Sequence, residues 1–170
     1  MKKIIILLLA MLSVTGIRAQ MIAAHTDLGL LALQTYSLGA EMTINNRSTL
    51  LLDGVYSKDP YWHKGMDVLA IQPELRYYFG GRPMYHHFIG LSAVGAKYDI
   101  TWDDKRHKGI AAGAGLNLGY AFALSKRVTI DAHTGIGILA THEHLNGGPS
   151  KWGYRIVPTK IGVTLSYIIR

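Results

Sequence analysis

The sequence predicts an all-β protein: a closed antiparallel up-and-down transmembrane β-barrel of about eight strands, preceded by an N-terminal signal peptide. Apolar residues alternate with small or polar residues over most of the chain, with the period of two that is typical of strands. No apolar run after residue 19 is long enough for a transmembrane helix. The connections between alternating segments are short and long in turn, as in barrels with short periplasmic turns and longer outer loops.

Residues 1–19 have the features of a cleaved export signal. Lys2 and Lys3 precede an apolar segment at 4–12, and Ala19 is a small residue directly before Gln20. The alternative, an N-terminal membrane anchor, fits less well because the apolar segment is too short to span a bilayer. We therefore predict a signal peptide at 1–19 and one outer-membrane barrel domain at 20–170.

Eight segments are predicted to be strands. Alternation is clearest at 110–122, 128–140 and 161–169, and weakest in the first segment, where Leu30, Leu31 and Leu33 interrupt it. The segments in order are residues 22–33, 38–44, 50–57, 69–79, 89–94, 110–122, 128–140 and 161–169.

The predicted connections divide into two groups. Short turns are expected at 45–47, 80–83 and 125–127, and longer polar loops at 58–65, 101–108 and 141–153, with an unusually short first outer loop near Gln34 and Thr35. Pro73 falls within a predicted strand, and a closed barrel has no edge strand to accommodate a proline. We therefore expect a bulge or a locally missing hydrogen bond at Pro73.

The membrane prediction depends on which face of the strands carries the small side chains. A soluble barrel encloses its bulky apolar residues and covers its exterior with charged and polar ones. Here the face opposite the large aliphatic residues is made of glycine, alanine, asparagine, threonine and serine, which suit a narrow lumen. We expect Leu116, Ile136 and Leu165 to face lipid, and Gly115, Gly137 and Thr164 to face the lumen.

The same register predicts a polar network inside the barrel. A charge facing lipid at mid-depth would cost about 2–4 kcal/mol, whereas opposite charges in the lumen can pair. We interpret this network as a structural plug rather than a catalytic cluster, since eight strands leave room for side chains and not for an aqueous channel. Its predicted members are Glu41, Asp53, Glu74, Arg76, Asp131 and His133.

Composition excludes several classes of function. The chain contains no cysteine, which removes disulfide, thiol and lipoprotein chemistry. Three of its 18 basic residues, Lys2, Lys3 and Arg18, lie in the predicted leader, so the remainder has 15 basic and 11 acidic residues. These are scattered rather than gathered into a stripe, so nucleic-acid binding is not predicted.

Two groups of residues are candidates for chemical sites. His142, Glu143 and His144 contain possible metal ligands, but their spacing is not that of a zinc motif, and we interpret them as part of a surface loop. Barrel enzymes that cleave lipids or peptides place such groups near the outer rim. The candidates here, Ser57, His63, His107, His142 and Glu143, cannot be argued into one constellation, so no catalytic residue, metal or cofactor is predicted.

Several short motifs resemble a known family. They are the segments 72–79, 87–91, 112–115 with 119–120, 124–127 and 158–163. Together they are similar to an uncharacterised family of Bacteroides-type outer-membrane barrels, a domain of unknown function. The resemblance implies an outer-membrane location and, in some cases, neighbouring fimbrial genes, but no established chemistry. The final strand departs from the usual barrel pattern because it ends in Arg170 rather than in an aromatic residue.

Three hypotheses for function follow. The first is a non-enzymatic outer-membrane protein, structural or accessory to surface appendages or adhesion, that recognises surface or fimbrial proteins through its outer loops. Its other expected partners are outer-membrane lipid and the barrel insertion machinery. The second is a lipid-modifying barrel enzyme, and the third is a secreted soluble barrel that binds a ligand.

Overall fold

Eight antiparallel strands form a closed barrel in which each strand pairs with the next along the chain and the last pairs with the first. The computed structural model describes residues 21–61, 63–102, 105–144 and 151–169, and the predicted signal peptide lies outside these residues. The predicted fold class is confirmed. The elements are β1 (Ile22–Asp27), α1 (Leu28–Ala32), β2 (Thr35–Asn45), β3 (Ser48–Lys58), β4 (Met66–Tyr78), β5 (His86–Trp102), β6 (Lys105–Ala123), β7 (Val128–His144) and β8 (Lys151–Ile168).

The first predicted strand is wrong in its second half, because α1 replaces the strand after Asp27. The backbone of Asp27 is extended, and its Oδ1 accepts a hydrogen bond from the Leu30 backbone N–H at 2.9 Å, which caps the helix. The residues that follow are leucine, glycine and alanine, with no β-branched residue to favour a strand. No helix in the described part of the chain has the length and apolar character needed to cross a bilayer.

The second half of the barrel is taller than the first. Strands β5 to β8 have 17, 19, 17 and 18 residues, whereas β2 to β4 have 11, 11 and 13. The predicted loops at 101–108 and 141–153 are therefore wrong at residues 101–102, 105–108, 141–144 and 151–153, which are strand residues and belong to the outer extensions of β5 to β8. Residues 105–108 of β6 and 141–144 of β7 are all polar, so the apolar–polar alternation that reveals a strand in the sequence is lost there.

Pro73 lies in β4 without a bulge. It keeps Leu52 of β3 as its partner. On the β5 side, pairing is interrupted after Ile71 and resumes at Glu74 in an unchanged register. Of the two predicted outcomes, the structure therefore has the locally missing pairing, as expected for a residue without a backbone N–H.

A bulge occurs instead between β7 and β8. Gly135 pairs with Lys160, and Ile136 pairs with Pro158, which leaves Thr159 as an extra residue on β8. One extra residue shifts the side-chain alternation beyond it. Thr159 and Lys160 are consequently both partly buried, although they are adjacent in the chain.

The large aliphatic residues point outward, as the sequence predicts. Leu116 is 54% exposed and Ile136 is 62% exposed, whereas Thr164 is 3% exposed and Gly115 is buried. Gly119 shows how closely the interior is packed, since a Cβ atom there would collide with the ring of Phe88. The barrel therefore has an apolar outer face and a filled lumen.

Candidate functional site

Arg76 lies at the centre of the barrel interior and is 1% exposed. Its Nε–H donates a hydrogen bond to Glu74 Oε1 at 3.0 Å, and its Nη1 lies 3.4 Å from both Glu41 Oε2 and Asp131 Oδ2. The guanidinium carbon stands 4.4 Å from the centre of the Phe88 ring, a cation–π distance. These four groups replace the hydration shell that a buried cation loses.

Glu41 is held by two further donors. The Tyr78 hydroxyl donates to Glu41 Oε1 at 2.8 Å, and the Thr49 hydroxyl donates to the same oxygen at 2.5 Å. Tyr78 follows Arg76 on the inward face of β4, so one strand supplies both the cation and a neutral donor. Hydrogen bonds to a charged acceptor are stronger than those between neutral groups, which favours a single arrangement of this cluster.

Lys160 joins the Arg76 cluster to a second buried carboxylate. Its Nζ donates to Glu74 Oε2 at 3.1 Å and to Asp53 Oδ2 at 2.7 Å. The other oxygen of Asp53 lies 2.5 Å from His25 Nε2. Lys160 is therefore a bridge between carboxylates of β3 and β4, and it reaches them from β8 across the lumen.

His133 extends the network toward α1. Its Nδ1 lies 2.8 Å from Asp131 Oδ1, and its Nε2 lies 3.3 Å from Asp27 Oδ2. Asp27 is also the residue that caps α1. The interior ion pairs are thus connected to the helix that replaces the outer part of β1.

The structure places all six residues of the predicted network in the lumen, and each is nearly fully buried. It adds four that the sequence reading missed, namely His25, Asp27, Tyr78 and Lys160. Five carboxylates face only two permanent cations, Arg76 and Lys160, so the network is net negative when both histidines are neutral. Chemically, this arrangement fills the lumen with ion pairs. Within the described residues, no group of three or more histidine, aspartate or glutamate side chains could hold a metal ion.

Comparison with known proteins identifies the family. A model of the family described as "Protein of unknown function (DUF3575)" matches residues 4–169. The chain belongs to this family. The predicted resemblance to an uncharacterised barrel family is confirmed, and the match covers nearly the whole chain. A comparison with curated proteins found no match.

Two solved structures are similar to this DUF3575 chain. The crystal structure of Neisserial surface protein A has a TM-score of 0.51 at 15% identity, covering 87% of this chain and 94% of that one. The N-terminal β-barrel domain of Pseudomonas aeruginosa OprF has a TM-score of 0.48 at 15% identity, covering 87% of this chain and 96% of that one. At this identity, the likeness to the Neisserial protein shows the shared fold alone.

The histidine motif of the DUF3575 chain lies in a strand rather than in a loop. His142, Glu143 and His144 all belong to β7, so the interpretation as part of a surface loop is wrong. The His142 ring lies 4.7 Å from the Trp152 ring of β8. The strand continues here because backbone pairing with β8 extends as far as Glu143 and Lys151.

The residues weighed as enzyme groups lie on several elements. Ser57 is buried on β3, where its hydroxyl is 2.9 Å from that of Thr35. His63 Nε2 lies 2.9 Å from the Thr101 carbonyl oxygen, and His107 lies on β6. The hydrogen bond of the Ser57 hydroxyl is thus to another hydroxyl.

Proposed function

We propose that this chain is a small, non-enzymatic outer-membrane barrel of a Gram-negative bacterium, and that its outer strand extensions bind the surface of a partner protein. In this proposal the chain is exported, inserted by the barrel insertion machinery and surrounded by outer-membrane lipid. The observation that carries the proposal is the apolar outer face of a closed barrel. Closure matters because unpaired backbone groups are costly in lipid.

Two features of the outer face support a membrane location: its apolar composition and the positions at which charged residues begin. Large exposed hydrophobic residues occur on every strand. Soluble monomers, in contrast, rarely expose a continuous apolar patch of more than a few hundred Å². Exposed aromatic residues lie toward both ends of the strands, as at membrane interfaces. Along the strands toward the end that carries the extensions, the first charged residues that face away from the lumen are Asp67 on β4, Lys97 on β5 and Lys108 on β6. These charges mark where the apolar band ends.

The filled lumen supports a role other than that of a porin. Arg76, Glu41, Glu74 and Asp131 occupy the axis of the barrel with exposures of 1–3%. In an eight-stranded barrel the side chains fill the interior. We therefore place the function on the outer extensions and not in the lumen.

The β5–β6 extension carries a mainly basic outward surface, formed by Lys97, Asp99, Arg106 and Lys108. Arg106 donates two hydrogen bonds to Asp99, at 2.7 and 2.6 Å. This interaction lowers the pKa of the Asp99 carboxyl, which keeps it ionised. Asp67 of β4 lies opposite Asp99, so this surface has three cations and two anions. Its net charge is still positive and complementary to an acidic protein, and we propose a surface-appendage protein as the partner.

Reversing charge on this extension should weaken partner binding. We expect Lys97→Glu combined with Lys108→Glu to lower affinity for surface appendages about tenfold, since complementary charges become like charges. Binding of the purified barrel to sheared appendages from cells that express it can be measured by surface plasmon resonance at low and high salt.

The matched control is Lys126→Glu combined with Arg127→Glu, in the turn between β6 and β7 at the opposite end of the barrel. It makes the same change in net charge and should leave the affinity unchanged. Equal binding by both double variants, or by the wild type and the Lys97 and Lys108 variant, would contradict the proposed partner surface.

A further inference from the structure

The barrel wall has a seam between β1 and β8. Because β1 ends at Asp27, it pairs with β8 only as far as Thr164. Strand β8 continues outward to Lys151, and in the described part of the chain its only strand partner there is β7. Helix α1 packs against this edge, where a Cβ added to Gly29 would lie 3.6 Å from the Gly162 Cα. A short helix, rather than a hydrogen-bonded strand, therefore covers this edge of β8.

A cavity of about 320 Å³ reaches this seam from the lumen. It is lined by the inward-facing side chains of Asp53, Gln72 and Lys160, but also by Pro158 and Ile161. Pro158 and Ile161 belong to the outer face of β8, and Ile161 is 66% exposed. On β3, β4 and β5 only inward-facing residues line the cavity, whereas on β8 residues of both faces do. The cavity therefore reaches the edge of β8 on which α1 packs.

The walls of the cavity are mostly apolar. Leu30 of α1 and the inward-facing Val55, Ala70 and Val94 line it. These apolar side chains are separate from the buried apolar cluster of Tyr78, Met84 and Phe88. The volume is at the lower end of the range of small-molecule sites, about 300–1,000 Å³.

The charged groups at the base of the cavity are already paired. Asp53 contacts Lys160 and His25, and Asp27 contacts His133. No cation remains among them to attract an anionic group. Two buried polar atoms of lining residues, His25 Nδ1 and Gln72 Nε2, have no hydrogen-bond partner, but the larger part of the wall is apolar. With no free cation and a mainly apolar wall, the cavity suits an uncharged occupant.

We infer that the cavity binds one acyl chain of a bilayer phospholipid, which passes sideways through the seam between α1 and β8. The seam and the apolar outer face are continuous through Pro158 and Ile161, so a chain in the bilayer reaches Val55, Ala70 and Val94 without crossing water. This inference rests on the proposed outer-membrane location. It assigns to the barrel a lipid site in its wall, separate from the outer surface that binds the partner.

Photo-crosslinking from the lipid tests the inference. The wild-type barrel is reconstituted in dioleoylphosphatidylcholine vesicles that contain a phosphatidylcholine with a diazirine on one acyl chain, and crosslinked residues are identified by mass spectrometry. We expect crosslinks at outward-facing residues such as Leu69 and Leu91, and also at the inward-facing Val55 and Val94. Ser92, which is inward-facing and 2% exposed but does not line the cavity, should not be labelled.

A cavity-filling variant gives the matched comparison. Ala70→Phe places a ring in the cavity and should lower crosslinking at Val55 and Val94 about tenfold or more, with outward labelling unchanged. Ala114→Phe adds the same ring on the outer face and should leave both unchanged. A gel band whose mobility changes on boiling verifies that each variant is folded. If Ala70→Phe does not fold, the crosslinked residues of the wild-type barrel alone show whether an acyl chain enters the cavity.

The experiment distinguishes failure of the acyl-chain site from failure of the outer-membrane location. Labelling restricted to outward-facing residues in the wild type would overturn the acyl-chain site and leave the outer-membrane location intact. Absence of labelling at outward-facing residues of a folded barrel would overturn the location itself. Equal inward labelling in Ala70→Phe and the wild type would show that the crosslinks come from outside this cavity.

Discussion

Replacing Arg76 by methionine is expected to destabilise the barrel by about 3–5 kcal/mol, the usual cost of removing one partner from a buried ion pair. Methionine approximates the aliphatic part of the side chain but leaves Glu41, Glu74 and Asp131 without their shared cation. Unfolding in urea, followed by the mobility difference between boiled and unboiled samples on a gel, measures the change in free energy.

The control is Arg106→Met, which removes the cation of the exposed Asp99 pair and should leave the unfolding midpoint nearly unchanged, because surface ion pairs contribute little. Adding Glu41→Gln to Arg76→Met should restore part of the loss, since one uncompensated charge is removed. An Arg76→Met barrel as stable as the wild type would show that the lumen network is not a structural plug.

Placing a charge on the outer face should have the second largest effect. Leu116→Arg is expected to cost about 2–4 kcal/mol in a bilayer, as found for arginine facing lipid at mid-depth. Leu116 is 54% exposed on the outer face of β6, so the substitution is not opposed by packing within the barrel. The free energy of unfolding in phospholipid vesicles measures the effect.

Ile110→Arg is the matched control on the same strand. Ile110 faces outward and pairs with Lys97, where outward-facing charges begin, so the cost there should be about 0–1 kcal/mol. A soluble barrel would tolerate both substitutions equally, because each side chain would project into water. Equal stability of the two variants and the wild type would therefore favour the secreted soluble barrel.

The strands within the apolar band could be predicted from the sequence because burial on one face produces a strict alternation. The prediction failed where that cause is absent. At α1, a local hydrogen bond from the Leu30 N–H to Asp27 and a run of helix-favouring residues end the strand early. At residues 105–108 of β6 and 141–144 of β7 every residue is polar, so strand and loop look alike in the sequence.

The lumen network was predictable in part. Glu74 and Arg76 could be placed because they alternate with large apolar residues on β4, and Tyr78 shares their parity and could have been included. His25 and Asp27 share a parity on β1 but belong to the least regular segment. The cavity could not be predicted, because it depends on where β1 stops pairing with β8.

Lipid contact along β6 tests directly whether the outer face of the barrel lies in the membrane. Because the chain has no cysteine, single cysteines can be introduced at Leu116, Asn117 and Leu118 and spin-labelled in vesicles. Labels at 116 and 118 should collide with oxygen and not with a water-soluble nickel chelate, while the label at 117 should be shielded from both. Nickel access at 116 and 118, or oxygen access at 117 alone, would contradict the assignment of these faces.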